Sequence, residues 1–246
     1  MIYNFLFIIL FPFIIIRILF KSIKEPNYLK NLFERFGIYK KKKIKNVIWI
    51  HAVSVGEILS ARDLVYQLEN KYPDKIILVT FSTAGAFEIA RKVFCERILK
   101  CYLPYDLPLF INNLLNNFKP LVCILVETEI WPNLLNALNK NKIPCYIVNG
   151  RLSNRSFKNY LFFKPFLKKF HKRINCVMTQ SKKDEKKFLN LGFKNVVCTG
   201  NMKYDSIVYD QLSCNKVFKT LRRLNDKIFI AASTRKGEEE IILNCV

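Results

Sequence analysis

Short apolar runs alternate with longer amphipathic stretches over most of the chain. The runs, which the pattern predicts to be strands, are 47–50, 76–81, 121–126, 145–148, 176–179 and 196–198. Helical spacing or helix-start residues lie between and around them, at 57–70, 84–95, 107–117, 131–140, 155–170 and 182–190. Strands that alternate with helices are typical of an α/β fold built on a parallel sheet. The pattern therefore predicts an α/β domain built on a parallel sheet.

A second domain is predicted to begin near residue 215. Residues 216–225 have the pattern of a connecting helix, 227–233 that of a strand, and 234–239 turn into a helix. One strand and one helix bury too little apolar surface to fold alone. The predicted boundaries are 1–22 for a membrane anchor, 23–214 for the first domain, and 215–246 for the linker helix and the truncated start of the second domain.

The amino-terminal segment is predicted to attach the protein to a membrane. Between Ile2 and Phe20 the only polar residues are Tyr3, Asn4 and Arg17, and this length is about what a helix needs to span a bilayer. No basic segment precedes it and no small-residue cleavage site follows, which argues against a removable signal peptide. The lysine-rich flank that follows predicts a cytoplasmic location for the rest of the chain. A proline and an arginine within the segment also suit a kinked or interfacial helix.

The chain is strongly basic, with 41 Lys and Arg against 19 Asp and Glu and a formal charge of +22. Such a charge indicates an anionic partner, namely phospholipid, nucleic acid or a phosphorylated substrate, although an AT-rich genome also raises lysine content. Most aromatic residues lie in predicted strands or in the anchor, which argues against nucleic-acid binding. The eight cysteines form no C-x-x-C pair and there are two histidines, so no metal site is predicted.

The segment E-T-E-I-W-P-N at 127–133 directly follows an apolar predicted strand. Ligands of open α/β sheets bind beyond the carboxyl ends of the strands, and Glu127 and Glu129 alternate, so an extended backbone lets both face one crevice. The alternative is a helix start, where acidic side chains and Pro132 are equally at home.

Other predicted strand ends carry similar chemistry. The segment H-A-V-S-V-G-E ends at Glu57, where Gly56 permits close approach of a ligand and a helix begins. The loops at 81–85, 149–156 and 200–205 resemble it, and the last contains Lys203. Each of these segments is also typical of an ordinary capped helix start, and Lys203 of a solvated surface lysine.

The order and spacing of segments 49–57, 127–134, 149–156, 200–205 and 231–239 resemble those of bacterial 3-deoxy-D-manno-octulosonic acid (Kdo) transferases. The resemblance extends from the anchor to residue 246. It implies a GT-B type α/β enzyme on the cytoplasmic face of the bacterial inner membrane, with two Rossmann-like domains that are each built on a doubly wound parallel sheet. Such an enzyme is an inverting glycosyltransferase that moves Kdo from CMP-Kdo to the phosphorylated lipid A precursor (lipid IVA) without a metal or another cofactor.

The resemblance also implies roles for particular residues. Glu57 would be the proton acceptor, and Glu127 and Lys203 would stabilise the transition state. The implied substrate-binding residues are Ser54, Gly56, Thr83, Trp131, Asn149, Arg151 and Ser153.

The resemblance also implies a carboxyl-terminal domain that carries the nucleotide contacts, of which we expect only the start, up to about residue 240, in this sequence. The sequence would then be a fragment or a truncated gene product, or another chain would supply the remaining half. We therefore expect the 246 residues alone to bind phosphorylated lipid but not CMP-Kdo. The alternative function is a non-catalytic, membrane-anchored binder of phosphorylated lipid.

Overall fold

The computed structural model describes residues 2–24, 29–39, 43–205, 229, 231, 234–235 and 237–245. The chain divides into two units, Met1–Ser206 and Ile207–Val246. In the second unit, a short helix at Glu238–Leu243 agrees with the helix predicted after the last strand. The predicted linker helix at 216–225, the domain boundary at 214–215 and most of the strand at 227–233 lie outside the described residues.

In the described part of the first unit, seven strands form one sheet in the order β3-β2-β1-β4-β5-β6-β7, and every neighbouring pair is parallel. The strands are β1 (Val47–His51), β2 (Ile76–Phe81), β3 (Leu99–Tyr102), β4 (Pro120–Val126), β5 (Cys145–Gly150), β6 (Cys176–Thr179) and β7 (Val196–Cys198). The α/β fold and all six predicted strands are confirmed. The edge strand β3 was not predicted, because Lys100 interrupts its short apolar run.

Helices cover both faces of the sheet. On one face, α2 (Val55–Lys71) and α3 (Ala84–Val93) pack against the even-numbered residues of β1. The opposite face buries Trp49 and Leu125 against helices that follow β3 to β6. These helices are α4 (Pro108–Phe118), α5 (Pro132–Lys140), α6 (Asn154–Phe162), α7 (Lys164–His171) and α8 (Lys182–Leu191).

One predicted helix is divided in two. The segment 155–170 forms α6 and α7, which meet at Phe163. Pro165 lies in the first turn of α7, where its missing N–H costs no hydrogen bond, whereas inside a continuous helix it would remove one. The prediction of a single helix was therefore wrong at this point.

The amino-terminal helix, α1 (Ile2–Lys24), packs along one side against other residues of the first unit. Near its start, Tyr3 Oη donates to Asp106 Oδ2 at 2.9 Å, and Asn4 Oδ1 accepts from a residue of α5. Further along, the Phe11 ring packs against the Phe36 and Tyr105 rings, with 5.9 Å between centroids in both pairs. Its other side exposes large apolar residues, among them Phe5, Leu6, Ile9, Leu10, Phe13, Ile16, Phe20 and Ile23. By length and composition it is able to cross a membrane.

The sheet order places the ends of β1 and β4 side by side. The chain runs from β1 outward through β2 to β3, then returns through α4 to the other side of β1. This reversal creates a crevice between the loops that follow β1 and β4, where open α/β sheets bind their ligands. The segments that end in Glu57 and begin with Glu127 therefore meet at this crevice.

Candidate active site

Glu57 is held at the start of α2 by a capping box. Ser54 is the N-cap residue, and its Oγ accepts from Glu57 N at 3.4 Å and donates to Glu57 Oε1 at 2.8 Å. Val53 N donates to Glu57 Oε2 at 2.8 Å. The Ser-x-x-Glu spacing produces this reciprocal arrangement because it lets both ends of the turn share hydrogen bonds. The helix-start interpretation is right about the local geometry, and that geometry fixes the side chain of a glutamate residue that is 8% exposed.

Glu127, the residue directly after β4, has an unusual backbone conformation. Its φ is 62°, in the left-handed region that few residues other than glycine adopt. Its N–H still donates to Val148 O at 2.9 Å, so the residue turns the chain while keeping a contact with β5. Two residues later, Glu129 Oε2 accepts from Trp131 Nε1 at 2.7 Å. This bond ties the carboxylate to Trp131, the residue that directly precedes α5.

The three carboxylates share one electrostatic environment. Burial, followed by the negative charges of Glu57 and Glu127, raises the pKa of Glu129 to about 7, and the hydrogen bond from Trp131 opposes this rise. Burial also raises the pKa of Glu57, with a contribution from Glu127, against the hydrogen bonds from Ser54 and Val53. A carboxylate whose pKa approaches neutrality can exchange a proton with a bound hydroxyl. Sequence reasoning pointed to Glu129 as part of the rim, by which we mean the loops that follow the carboxyl ends of the strands, but did not assign it a role.

Asp106 is a site residue that sequence reasoning missed. It is buried in the loop between β3 and α4, and its Oδ2 and Oδ1 accept from the backbone N–H groups of Asn133 and Leu134 at 3.0 and 2.8 Å. Trp131, the N-cap residue of α5, makes no side-chain cap, so Asp106 supplies the cap from a distant loop. Burial raises the pKa of Asp106, and these hydrogen bonds oppose the rise. No local sequence signal links a residue at 106 to a helix that starts at 132.

Asn149 and Lys203 are connected through the loop that follows β7. The Asn149 side chain is 1% exposed, and its Oδ1 accepts from Met202 N at 3.1 Å. Its backbone O accepts from Gln180 Nε2 at 3.1 Å. Lys203 lies in a 3₁₀ turn at Met202–Tyr204, where its N–H donates to Asn201 Oδ1 and its side chain is exposed. Asn149 therefore positions the backbone of the Lys203 loop.

The remaining predicted substrate-binding residues lie on the same rim but are held differently. Thr83 and Ser153 are N-cap residues of α3 and α6, and their hydroxyl oxygens accept from backbone N–H groups at 3.2 and 3.0 Å. Arg151 is exposed, and its backbone O accepts from Thr128 Oγ1 at 2.6 Å. Gly56 is also exposed, and a Cβ there would meet nothing within 4 Å. The alternative of an ordinary capped helix start thus describes Thr83 and Ser153, whereas Arg151 and Gly56 are exposed to open space.

Within the described residues no group of three or more His, Cys, Asp or Glu side chains is arranged to hold a metal ion. The side chains described at these strand ends include carboxylates, an indole, and cations from arginine and lysine.

Comparisons with known proteins identify the family of this chain. The family model of 3-deoxy-D-manno-octulosonic-acid transferase (kdotransferase) matches residues 30–206. The chain is 38% identical to the 3-deoxy-D-manno-octulosonic acid transferase of Haemophilus influenzae, over 98% of this chain and 58% of that protein. It is 32% identical to the protein of the same name from Rickettsia bellii, with the same coverage.

The chain thus spans somewhat more than half the length of these curated relatives. Among solved structures, the UDP-GlcNAc 2-epimerase from Neisseria meningitidis aligns over 73% of this chain and 53% of its own, with 16% identity and a TM-score of 0.49. From the family match and the two relatives together, the chain belongs to the 3-deoxy-D-manno-octulosonic acid transferase family.

Proposed function

We propose that this chain provides the acceptor side of an inverting GT-B glycosyltransferase that transfers Kdo from CMP-Kdo to the lipid A precursor. The observation that carries the proposal is the buried Glu57 side chain, which is held at the start of α2 beside the crevice between the loops that follow β1 and β4. The negative charge of Glu127 contributes to raising the pKa of Glu57, after the larger effect of burial. A base at this position faces the crevice where an acceptor hydroxyl would lie.

In the proposed reaction, an acceptor hydroxyl attacks the anomeric carbon of Kdo while Glu57 takes the hydroxyl proton. The new bond joins the acceptor oxygen to that carbon, and the bond from the carbon to the phosphate oxygen of CMP breaks. Glu127 stabilises the positive charge that develops on the sugar, and Lys203 stabilises the departing phosphate. Trp131 and Arg151 lie on the same rim and are proposed to contact the substrates.

We also propose that the protein works on the cytoplasmic face of the bacterial inner membrane. The exposed apolar side of α1 supports this, and so does a second surface at the corner between α6 and α7. There Phe162 and Phe163 are 81% and 56% exposed. The surrounding segment, 151–175, contains eight basic residues and no acidic one. Exposed aromatic rings beside clustered cations suit the interface of an anionic bilayer.

The test of the reaction is a matched pair of substitutions in α2. Glu57→Gln removes the base and keeps the shape, whereas Glu69→Gln makes the same change near the end of the helix. Transfer of Kdo from CMP-Kdo to the lipid A precursor is followed by mass spectrometry. The proteins are the chain itself and a fusion that appends the remaining length of the H. influenzae relative.

We expect the fusion to be active, Glu57→Gln to lower its rate by roughly 100-fold or more, and Glu69→Gln to leave it unchanged. An active Glu57→Gln fusion would contradict the base assignment. A fusion that binds the lipid A precursor but never transfers Kdo would support the binding function instead.

A further inference from the structure

The first residues of α1 are joined to the candidate active site by a short series of hydrogen bonds. The series passes from Tyr3 through Asp106 to the first turn of α5, and from Trp131, the residue before that turn, to Glu129. We infer that Tyr3 is a positioning residue, which acts through Asp106 and α5 to hold the Trp131 indole against the Glu129 carboxyl group. Helix α1 then supports the active site as well as being able to cross a membrane. The inference rests on the proposed function only for its effect on the transfer reaction.

Helix α5 begins without a cap of its own. The Trp131 side chain makes no capping hydrogen bond, and the first turn contains no acidic residue. The first N–H groups of a helix have no partner within the helix, and in α5 those of Asn133 and Leu134 donate to Asp106 Oδ2 and Oδ1 at 3.0 and 2.8 Å. Asn133 Nδ2 also donates to Asp106 O at 2.5 Å. The loop residue Asp106 therefore fixes the start of α5 and the orientation of its first turn.

The amino-terminal end of α1 holds this arrangement from the other side. Tyr3 Oη donates to Asp106 Oδ2 at 2.9 Å, and Asn4 Oδ1 accepts from Asn133 Nδ2 at 2.8 Å. Asp106 is 2% exposed, so a contact that is lost here leaves a buried polar group without its partner. Burial raises the pKa of Asp106, and the hydrogen bond from Tyr3 is among those that oppose this rise. Without the Tyr3 hydroxyl, the carboxylate is a less stable acceptor for the two N–H groups of α5.

The other end of the series is the indole of Trp131. Because Trp131 directly precedes α5, the direction of its ring follows the start of the helix. Its Nε1 donates to Glu129 Oε2 at 2.7 Å. Burial and then the charge of Glu57 raise the pKa of Glu129, with a smaller rise from Glu127, and the indole bond opposes them. A looser indole therefore lets this pKa rise further. Burial, followed by the Glu129 charge, raises the pKa of Tyr160 in α6, so its phenol stays neutral and does not change this direction.

The experiment follows the indole N–H signals of the two tryptophans by NMR in the 246-residue chain, isotope-labelled in its tryptophans and held in detergent micelles. Trp131→Phe assigns the signals. A pH titration of the Trp131 signal gives the midpoint of Glu129 ionisation, and Glu129→Gln should remove that titration. The Trp49 indole is fully buried and donates to Thr80 Oγ1 at 2.8 Å, so its signal is the internal control for folding.

A matched pair of substitutions tests the role of Tyr3. Tyr3→Phe removes one oxygen atom from the series, and Tyr72→Phe removes one from the residue that follows α2, which is 39% exposed.

We expect Tyr3→Phe to raise the midpoint, which lies at about 7 in the parent, by about half a pH unit. It should also move the Trp131 signal toward that of an indole without a hydrogen bond. Tyr72→Phe should leave both quantities unchanged, and the Trp49 signal should be the same in every variant. A midpoint that stays constant or falls in Tyr3→Phe would overturn the inference. So would an equal shift of the Trp49 signal, because it would indicate a general loosening of the fold.

The active fusion protein separates this inference from the proposed function. In the fusion, Tyr3→Phe should lower kcat about threefold and leave the KM for the lipid acceptor within about twofold, because it misplaces a group near the reaction without removing a substrate contact. The pH profile of kcat should move in the same direction as the midpoint. A shifted midpoint with an unchanged pH profile would refute the positioning role while the reaction stands. A parent fusion without transfer would refute the reaction, whereas the Trp131 titration decides the contact with Tyr3 separately.

Discussion

Glu129 makes the stability of this protein depend on pH in a way that one substitution can remove. Its pKa is about 7 in the folded protein, compared with 4.5 for an ordinary glutamate, mainly because of burial and then the charges of Glu57 and Glu127. Between these two values the folded protein keeps a proton that the unfolded chain has released. Stability therefore falls as the pH rises through this interval. Glu129→Gln abolishes the titration and keeps an oxygen that can accept from Trp131.

The size of the effect follows from the two pKa values. A tenfold change in proton affinity corresponds to about 1.4 kcal/mol, so full ionisation of Glu129 costs the folded state about 3 kcal/mol. Partial exposure of the side chain allows solvent screening, which lowers the figure toward about 1 kcal/mol. The change in the free energy of unfolding that Glu129→Gln causes should thus be about 1 to 3 kcal/mol more favourable at about pH 9 than at about pH 4.5.

The assay is urea unfolding of both proteins at the two pH values, in one detergent and followed by far-UV circular dichroism. At each pH the free energy of unfolding of the parent is subtracted from that of Glu129→Gln. This subtraction removes the contribution of every group that titrates equally in both proteins. Trp131→Phe is an informative second variant, because the indole hydrogen bond lowers the pKa of Glu129. Its removal should extend the pH-dependent loss of stability to higher pH. A difference that stays constant with pH, or that favours the parent at high pH, would refute the reasoning.

Three further results are expected. Asp106→Ala removes the distant cap of α5 and should lower the free energy of unfolding in urea by about 2 kcal/mol; a loss below about 0.5 kcal/mol would show that the helix start does not need it. Replacing both Phe162 and Phe163 with serine should weaken sedimentation with phosphatidylglycerol vesicles several-fold without changing its salt dependence, and unchanged binding would exclude that corner as a membrane contact. Asn149→Ala frees the loop that carries Lys203, so trypsin should cleave after Lys203 several-fold faster, and an equal rate would contradict the positioning role.

The local pattern of the sequence was enough to predict six of the seven strands described in the first unit and most of the helices between them. Apolar runs of the right length predict buried parallel strands, and the Ser54 to Glu57 spacing leads to the capping box that holds the carboxylate. These features depend on residues that are close in sequence, and strand periodicity and capping act over that range. Placement of the two glutamate segments at strand ends also follows from the pattern, because parallel strands end at one edge.

Only the tertiary structure revealed how distant segments complete the rim. Asp106 caps a helix 26 residues later, Arg35 is buried against Ser82 instead of lying in a solvated basic flank, and one side of α1 packs on the first unit instead of facing lipid all round. Each of these contacts joins residues far apart in sequence, and the free energy that makes it favourable comes from desolvation and packing in the folded state. No periodicity or spacing records such a contact, so the rim that carries the carboxylates is complete only when the sheet, its loops and α1 are assembled.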